Sequence, residues 1–208
     1  MRRSDFKRIL YVHKVIYYRI WYLNNKRKFK NLGKGSVIKS PLAINGSSNI
    51  EIGKNVFIGY KTWLAAVPHT GATECLLKFE DGCIIGNFNH IYSTKKIAFG
   101  KKVLTADKVY ISDNLHGYEN IDAAVMDQPI RQINEVYIGD GTWIGENVCI
   151  LGASIGKNCV IGANAVVTKN IPDYSIAVGN PAKIIKRYCF DSKKWEKTSP
   201  DGNFLMQQ

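Results

Sequence analysis

The chain has 208 residues, 45% of them hydrophobic, with 29 Lys and Arg against 17 Asp and Glu. This length allows one domain with a sizeable core and excludes two large ones, and the near-average composition excludes a disordered chain and a bundle of membrane spans. The charge is uneven, with net values of +11 for residues 1–39, −2 for residues 40–182 and +3 for residues 183–208. The central body offers no basic face to a phosphate backbone, so we expect no nucleic-acid partner.

Residues 1–33 form a basic amphipathic segment, in which we predict a helix over residues 4–30 with Ser4 as its N-cap. Two interpretations of this helix remain open. It covers the open end of the domain that follows, or it lies on a membrane surface, where its basic and aromatic residues suit anionic headgroups. Its apolar positions are Phe6, Ile9, Leu10, Ile16, Tyr17, Ile20 and Leu23.

From residue 38 onward, an aliphatic residue followed by glycine recurs at six-residue steps, as in Ile138-Gly139 and Ile144-Gly145. A step of six fits neither a helix nor simple strand alternation, but it fits a short strand followed by a bend, and three steps close a triangular coil. We therefore predict a parallel β-helix of about six coils over residues 34–182. The glycines should supply the backbone freedom of the bends, and the fourth residue of each step, such as Ser154, should fill an inner corner. The inward positions are Ile38, Ile44, Ile52, Ile58, Leu64, Phe79, Ile85, Ile91, Phe99, Thr105, Ile111, Ile138, Ile144, Ile150, Ile155, Ile161 and Val167.

The period breaks after the third step of each coil, so all interruptions should leave the column at the same edge. Two of them are long: residues 65–78, which contain His69, and residues 112–137, which contain His116. Loops of this length inside a compact domain are usually functional or disordered. The sequence therefore predicts a site along one edge, with a protruding loop at residues 112–137.

The segment from residue 136 to residue 187 contains WIG, IGANAVVTK and GNPAK. This combination resembles the C-terminal half of the hexapeptide-repeat acyltransferases, with the sugar O-acetyltransferases, such as maltose and galactoside acetyltransferases, as the nearest branch. The resemblance covers residues 38–187. It implies an all-β fold, a left-handed parallel β-helix, a homotrimer, acetyl-CoA as donor and an active site between neighbouring subunits. The handedness comes from the resemblance alone, because ordinary parallel crossovers are right-handed.

Acetyl transfer to a sugar hydroxyl requires a base, because the hydroxyl is barely ionised at neutral pH. His116, in ISDNLHGY, is similar to the catalytic histidine segment of the family and is the candidate base. Asp113 could orient its ring through the other nitrogen, although a backbone carbonyl would serve equally. His69 is a candidate acceptor contact about two coils, or about 10 Å, away. His90 falls within the regular repeat and should face outward.

Trp143, in TWIG, should also point outward, where it lines the acceptor pocket in the family or packs at a subunit interface. Backbone amides near Gly145 and Glu146 are candidates to steady the thioester oxyanion. The five-residue step from Ile150 to Ile155 shortens one corner, and we assign no role within residues 151–154.

The remaining donor contacts follow from the resemblance. It implies a backbone contact from Ala163 to the pantetheine arm and contacts from Thr168 and Lys169 farther along it. Lys183 and Lys186 match basic positions that meet the nucleotide phosphates, as point charges where some relatives have the forked contacts of arginine. Arg187 is a weaker candidate. We expect residues 183–208 to form a short basic tail.

Together these features predict an acetyl-CoA-dependent sugar O-acetyltransferase of capsule or O-antigen assembly, acting on a lipid-linked or polymeric carbohydrate. No metal should be required. The alternatives are N-acetylation of a nucleotide-linked amino sugar and a non-catalytic β-helical scaffold. A γ-type carbonic anhydrase needs three zinc-binding histidines, and His69, His90 and His116 lack that spacing.

The five cysteines, an odd number without CxxC spacing, indicate reduced thiols. The N-terminus also lacks the pattern of a secretory signal. We therefore expect a cytoplasmic protein, either free or peripheral at the inner face of the membrane.

Overall fold

The computed structural model describes residues 15–205, so the predicted helix positions Ser4, Phe6, Ile9 and Leu10 lie outside the described residues. Residues 15–25 form helix α1, which ends five residues before the predicted end. Asn25 Nδ2 donates to the main-chain carbonyl of Trp21 at 2.8 Å and satisfies an acceptor of the last turn. No helix within residues 15–205 has the length and apolar character that a bilayer span requires.

The strands that follow α1 wind into coils. Coils 1 and 2 contain β1 (Asn31–Leu32), β2 (Val37–Ile38), β3 (Ala43–Asn45), β4 (Ile50–Ile52), β5 (Phe57–Ile58) and β6 (Trp63–Ala66). Coils 3 and 4 contain β7 (Leu76–Phe79), β8 (Ile84–Ile85), β9 (His90–Ser93), β10 (Lys96–Phe99), β11 (Leu104–Thr105) and β12 (Tyr110–Ser112). An inserted pair, β13 (Asn114–His116) and β14 (Ile130–Gln132), precedes coils 5 and 6, which contain β15 (Val136–Ile138), β16 (Trp143–Ile144), β17 (Cys149–Leu151), β18 (Val160–Ile161) and β19 (Val166–Val167).

Stacking of the coils produces three parallel sheets, which we call faces A, B and C. Face A is formed by β1, β4, β7, β10 and β15, and face C by β3, β6, β9, β12, β17 and β19. Face B begins with β2, β5, β8, β11, β16 and β18. This arrangement confirms the predicted parallel β-helix of six coils.

The predicted inward residues form the core of the column. All of them are buried except Ile44, which is half-buried at the first coil. Phe79 and Phe99 stack in neighbouring coils with ring centroids 4.7 Å apart. Because burial of each such side chain contributes about 1.5–3 kcal/mol, the six-residue period is also the main source of stability.

The glycines of the repeat have a different role from the predicted one. A Cβ at Gly145 would lie 2.6 Å from the backbone nitrogen of Ala163 in the next coil, so a side chain does not fit there. The left-handed backbone of the bends is adopted by residues outside the Ile-Gly pairs, including Asn55 (φ 54°), Asn147 (φ 57°) and Gly141 (φ 69°). Asparagine tolerates this conformation. The glycines of the Ile-Gly pairs therefore allow close stacking of coils, whereas the predicted role at the bends belongs to other glycines, such as Gly141, and to asparagines.

The interruptions all leave the column between faces C and A, which confirms the predicted common edge. Loop 67–75 joins β6 to β7, and residues 113–135 join β12 to β15. The second segment, which we call the arm, begins one residue later and ends two residues earlier than the predicted loop 112–137, because β12 includes Ser112 and β15 begins at Val136. Within the arm, β13 and β14 pair antiparallel, so it is an ordered hairpin.

The corner between Ile150 and Ile155 also differs from the prediction. Ala153, rather than Ser154, is buried at the inner corner, and Ser154 is half-buried. Because this step has five residues instead of six, the inner position moves back by one residue. The backbone N–H of Ser154 donates to Asn170 Oδ1 at 2.8 Å.

Both ends of the column are covered. Trp21 and Tyr22 of α1 pack against the core, as the covering interpretation of the helix predicted, and the first coil begins at Asn31 rather than at residue 34. At the other end, face B continues through β20 (Ser175–Val178), β21 (Lys183–Cys189) and β22 (Lys194–Lys197). The prediction of a basic tail is therefore wrong, because Ile184 of β21 is buried against the core and holds the segment as a hairpin.

Candidate active site

His116 is presented to solvent by a paired strand at the base of the arm. It is the last residue of β13, and the antiparallel register places it opposite Ile130 of β14. Its side chain is exposed and makes no hydrogen bond with any residue between 15 and 205. Strand pairing thus fixes the backbone of His116, while its imidazole ring remains accessible to a substrate.

Asp113 has a task other than orienting His116, so that prediction is corrected. Its fully buried carboxylate accepts hydrogen bonds from the backbone N–H groups of Thr94, Lys95 and Lys96, each at 2.8 Å. A carboxylate that accepts several backbone N–H groups is committed to its local turn. Asp113 therefore anchors the root of the arm to the turn between β9 and β10, and it makes no hydrogen bond to His116.

Gln132 was not predicted, yet it connects the arm to both neighbouring segments. Its Nε2 donates to the main-chain carbonyl of Asp113 at 2.6 Å. Its Oε1 accepts hydrogen bonds from Thr70 Oγ1 at 2.9 Å and Thr94 Oγ1 at 3.0 Å. Because Thr70 belongs to loop 67–75, the side-chain amide of Gln132 joins the arm to this loop at the edge that they share. An isolated glutamine in a loop carries no sequence signal of such a role.

His69 and His90 lie on or beside face C. His69, in loop 67–75, is exposed, and its Nδ1 is hydrogen-bonded to the hydroxyl of Tyr92. His90 faces outward, as predicted, but it stacks on Trp63 with ring centroids 4.2 Å apart and an interplanar angle of 3°. Burial in this stack lowers the pKa of His90 and leaves its Nε2 without a partner among the described residues. His90 is therefore suited to packing as the neutral imidazole.

Trp143 is exposed at the centre of face B, which agrees with its predicted outward direction. The strand register continues from Trp143 through Val160 and Ile176 to Lys186. Residues in register on neighbouring strands share one side of a sheet, so Lys186 lies in the same outward column, about 14 Å from Trp143. Lys183, on the same strand as Lys186, is paired with Val178 of β20. The predicted phosphate contacts therefore lie below the indole on face B.

The predicted oxyanion contact at Gly145 is wrong, because its N–H donates to the carbonyl of Ile161 at 2.8 Å within the coil ladder. The amide of Glu146 is different. At equivalent corners, the N–H of Tyr60 bonds to Asn87 and the N–H of Asn87 bonds to Asp107 in the next coil.

The residue below Glu146 is Ala163, whose side chain has no acceptor atom. The N–H groups of both Glu146 and Ala163 consequently make no hydrogen bond within the described part of the chain. Two exposed residues with free amides, in consecutive coils, form a surface that suits a ligand with carbonyl groups. This corner, between faces B and C, carries the predicted backbone contact at Ala163.

Comparison with known proteins identifies the family. A family model described as the hexapeptide repeat of succinyl-transferase matches residues 135–169. WbbJ of Escherichia coli K12, whose name describes an O-acetyl transferase of lipopolysaccharide biosynthesis, is 34% identical over 168 residues, which cover 77% of this chain and 83% of WbbJ. The chain belongs to the hexapeptide-repeat acyltransferases.

Two further similarities agree with this family. The acetyltransferase Rv3034c of Mycobacterium tuberculosis is 42% identical over 74% of this chain and 49% of its own length, so the chain spans about half of that relative. A solved maltose O-acetyltransferase of Clostridium difficile is 29% identical, with a TM-score of 0.54 over 78% of this chain and 71% of that one. Other solved acyltransferases of this fold hold coenzyme A or acetyl-CoA. The predicted left-handed parallel β-helix is thereby confirmed.

A single chain of this hexapeptide-repeat acyltransferase does not bring all the predicted contacts together. Trp143, Lys183 and Lys186 lie on face B, and Ala163 lies at the corner between faces B and C. Thr168 and Lys169 are exposed after β19, at the edge between faces C and A from which the arm with His116 also leaves. The predicted base therefore shares its edge with Thr168 and Lys169, whereas the other predicted contacts lie on another side of the column.

Proposed function

We propose that the protein is an acetyl-CoA-dependent O-acetyltransferase that acetylates a carbohydrate hydroxyl, with His116 as the general base. The observation that carries this proposal is the imidazole of His116, which is exposed and has no hydrogen-bond partner within residues 15–205. It lies on a paired strand at the edge where loop 67–75 meets the arm. It stands on a chain whose relatives are named acetyltransferases.

In the proposed reaction, His116 accepts the proton of the sugar hydroxyl while the hydroxyl oxygen bonds to the acetyl carbonyl carbon. The carbon–sulfur bond then breaks, and the coenzyme A thiolate leaves with the proton carried by the imidazolium. The free amide of Glu146 is the candidate donor to the oxyanion, in place of the amide of Gly145. Lys186, in the same outward column as Trp143, and Lys183, on the same strand as Lys186, attract the phosphates of the donor.

The division of these contacts supports an active site built by two subunits. The outward centre of face A carries two charged side chains, Glu51, paired to Lys30 at 3.2 Å, and Lys78, paired to Glu80 at 2.7 Å, before it continues through Ala98 and Tyr137. The outward centres of faces B and C carry no charged side chain from coil 2 to coil 6. On face B they are Phe57, Ile84, Leu104, Trp143 and Val160, and on face C they are Trp63, His90, Tyr110, Cys149 and Val166.

Two different uncharged faces suit a closed ring, in which one face of each subunit meets another face of the next. We therefore infer a homotrimer. The edge of one subunit that carries His116 then lies beside face B of its neighbour, where Trp143 and Lys186 form the column that we call the donor column. Sedimentation equilibrium should give three times the chain mass of 23.4 kDa. A chain that stays monomeric while it catalyses acetyl transfer would exclude the shared site.

The acceptor class can be tested with purified protein, acetyl-CoA and a panel of hydroxyl sugars, amino sugars and surface oligosaccharides. We expect release of coenzyme A with a hydroxyl acceptor and an alkali-labile ester product. Transfer that forms only amides on amino sugars would replace the proposal with N-acetylation. Failure to bind acetyl-CoA at all would favour the scaffold.

A further inference from the structure

Helix α1 has two different apolar faces. Trp21 and Tyr22 pack against the core and fix the helix to the first coil. On the other side, Ile16 and Ile20 are one helical turn apart and are 49% and 53% exposed. Leu23, which is 55% exposed, lies between this side and the groove that it lines with Tyr22 and Ser36. Packing on the column therefore accounts for only one side of α1.

The surroundings of the exposed face are strongly cationic. Residues 15–39 contain no Asp or Glu. Arg19 lies on the helix, and Lys26, Arg27 and Lys28 follow it, all of them exposed. The ion pair described for this segment is that of Lys30 with Glu51. Residues 1–14 add five further Lys or Arg against Asp5 in the sequence. An apolar stripe thus lies beside four cations, Arg19, Lys26, Arg27 and Lys28, that make no ion pair within residues 15–205.

We infer that the outer face of α1, with its basic flanks, docks the protein on the surface of an anionic lipid bilayer. A helix with an exposed apolar stripe and a cationic border lies in the interface plane, where the apolar side chains enter the acyl boundary and the cations meet the headgroups. The charge selects this occupant over a second copy of the same segment, because two such cationic segments repel each other. This surface lies outside the acetyl-transfer site and does not depend on it.

The direct test is co-sedimentation of the full chain with vesicles made of equal parts of phosphatidylglycerol and phosphatidylcholine. We expect binding to these vesicles, much weaker binding to vesicles of phosphatidylcholine alone, and loss of binding as salt is raised, because salt screens the cationic contribution. Equal binding to both vesicle types, or no binding to either, would overturn the inference. These measurements use the unaltered protein and do not depend on the folding of a variant.

A double substitution isolates the apolar contribution at constant charge. Ile16→Ser with Ile20→Ser should lower vesicle affinity by about tenfold or more. Ile121→Ser with Met126→Ser is the matched control, because these side chains in the arm are 93% and 84% exposed but lie far along the chain from the cationic segment. The control should bind as the unaltered protein does. Equal affinity of both variants, or a fall in native mass caused by the α1 variant alone, would contradict docking on lipid.

Discussion

The side-chain amide of Gln132 joins the root of the arm to loop 67–75 by donating to the main-chain carbonyl of Asp113 at 2.6 Å and accepting from Thr70 at 2.9 Å. Asp113 is in turn held by the turn at residues 94–96. His116 lies three residues beyond this anchor. The position of the proposed base therefore depends on contacts made by residues that do not touch it.

Replacement of Gln132 by Met should lower kcat by about tenfold or more, because loss of the hydrogen bonds from its amide misplaces His116 relative to the acceptor. The KM for acetyl-CoA should stay unchanged, since the donor column lies on face B. Steady-state kinetics with acetyl-CoA separates the two constants. Gln128→Met is the matched control, because Gln128 bonds only within the arm, to Asn120 and Ala123. Equal kcat in both variants would contradict a positioning role for Gln132.

Replacement of Asp113 by Ala should reduce the free energy of unfolding by about 3 kcal/mol, because it leaves several backbone N–H groups without their acceptor. Urea unfolding measures this loss. Asp140→Ala provides the comparison, since Asp140 accepts one backbone N–H, from Lys101 at 2.8 Å, at an exposed corner. It should cost about 1 kcal/mol. An Asp113→Ala protein as stable as the unaltered one would contradict the anchoring role of this carboxylate.

The sequence predicts the column well because its period can be read along the chain. Each inward residue, such as Ile58 or Phe79, is specified by its place in a six-residue step, and the common edge of the loops follows from where the steps break. The contacts of Asp113 could not be predicted in this way. They depend on a turn 17–19 residues earlier in the chain, whose amides meet the carboxylate only after the coils have stacked.

The same limit explains the error at Gly145. The sequence locates the corner, but whether an amide is free depends on the residue below it in the next coil. Glu146 has Ala163 below it, whereas Asn87 has Asp107 below it and is bonded. The C-terminal hairpin was missed for a related reason. Its charged composition resembles a solvated tail, and only the burial of Ile184 against the last coil reveals the strand.

Replacement of both Lys183 and Lys186 by Ala should raise the KM for acetyl-CoA by about tenfold, because two positive charges beside the donor phosphates are lost. The effect should be larger at low salt, where charge attraction is least screened. Titration of the donor at two ionic strengths measures it. Lys54→Ala with Lys101→Ala removes the same charge from exposed positions at the corner between faces A and B. An equal rise in KM for both double variants would show a general charge effect and remove the assigned role.

The most direct measurement of the central claim compares acetyl transfer by the unaltered protein with that by His116→Asn, using an acceptor found in the sugar panel. The rate should fall by about 10²–10⁴-fold, while calorimetry should give the same acetyl-CoA affinity for both proteins. Leu115→Ala, on the same strand, should retain most of the rate. A His116→Asn protein that transfers acetyl groups at the unaltered rate would contradict the assignment of His116 as the base.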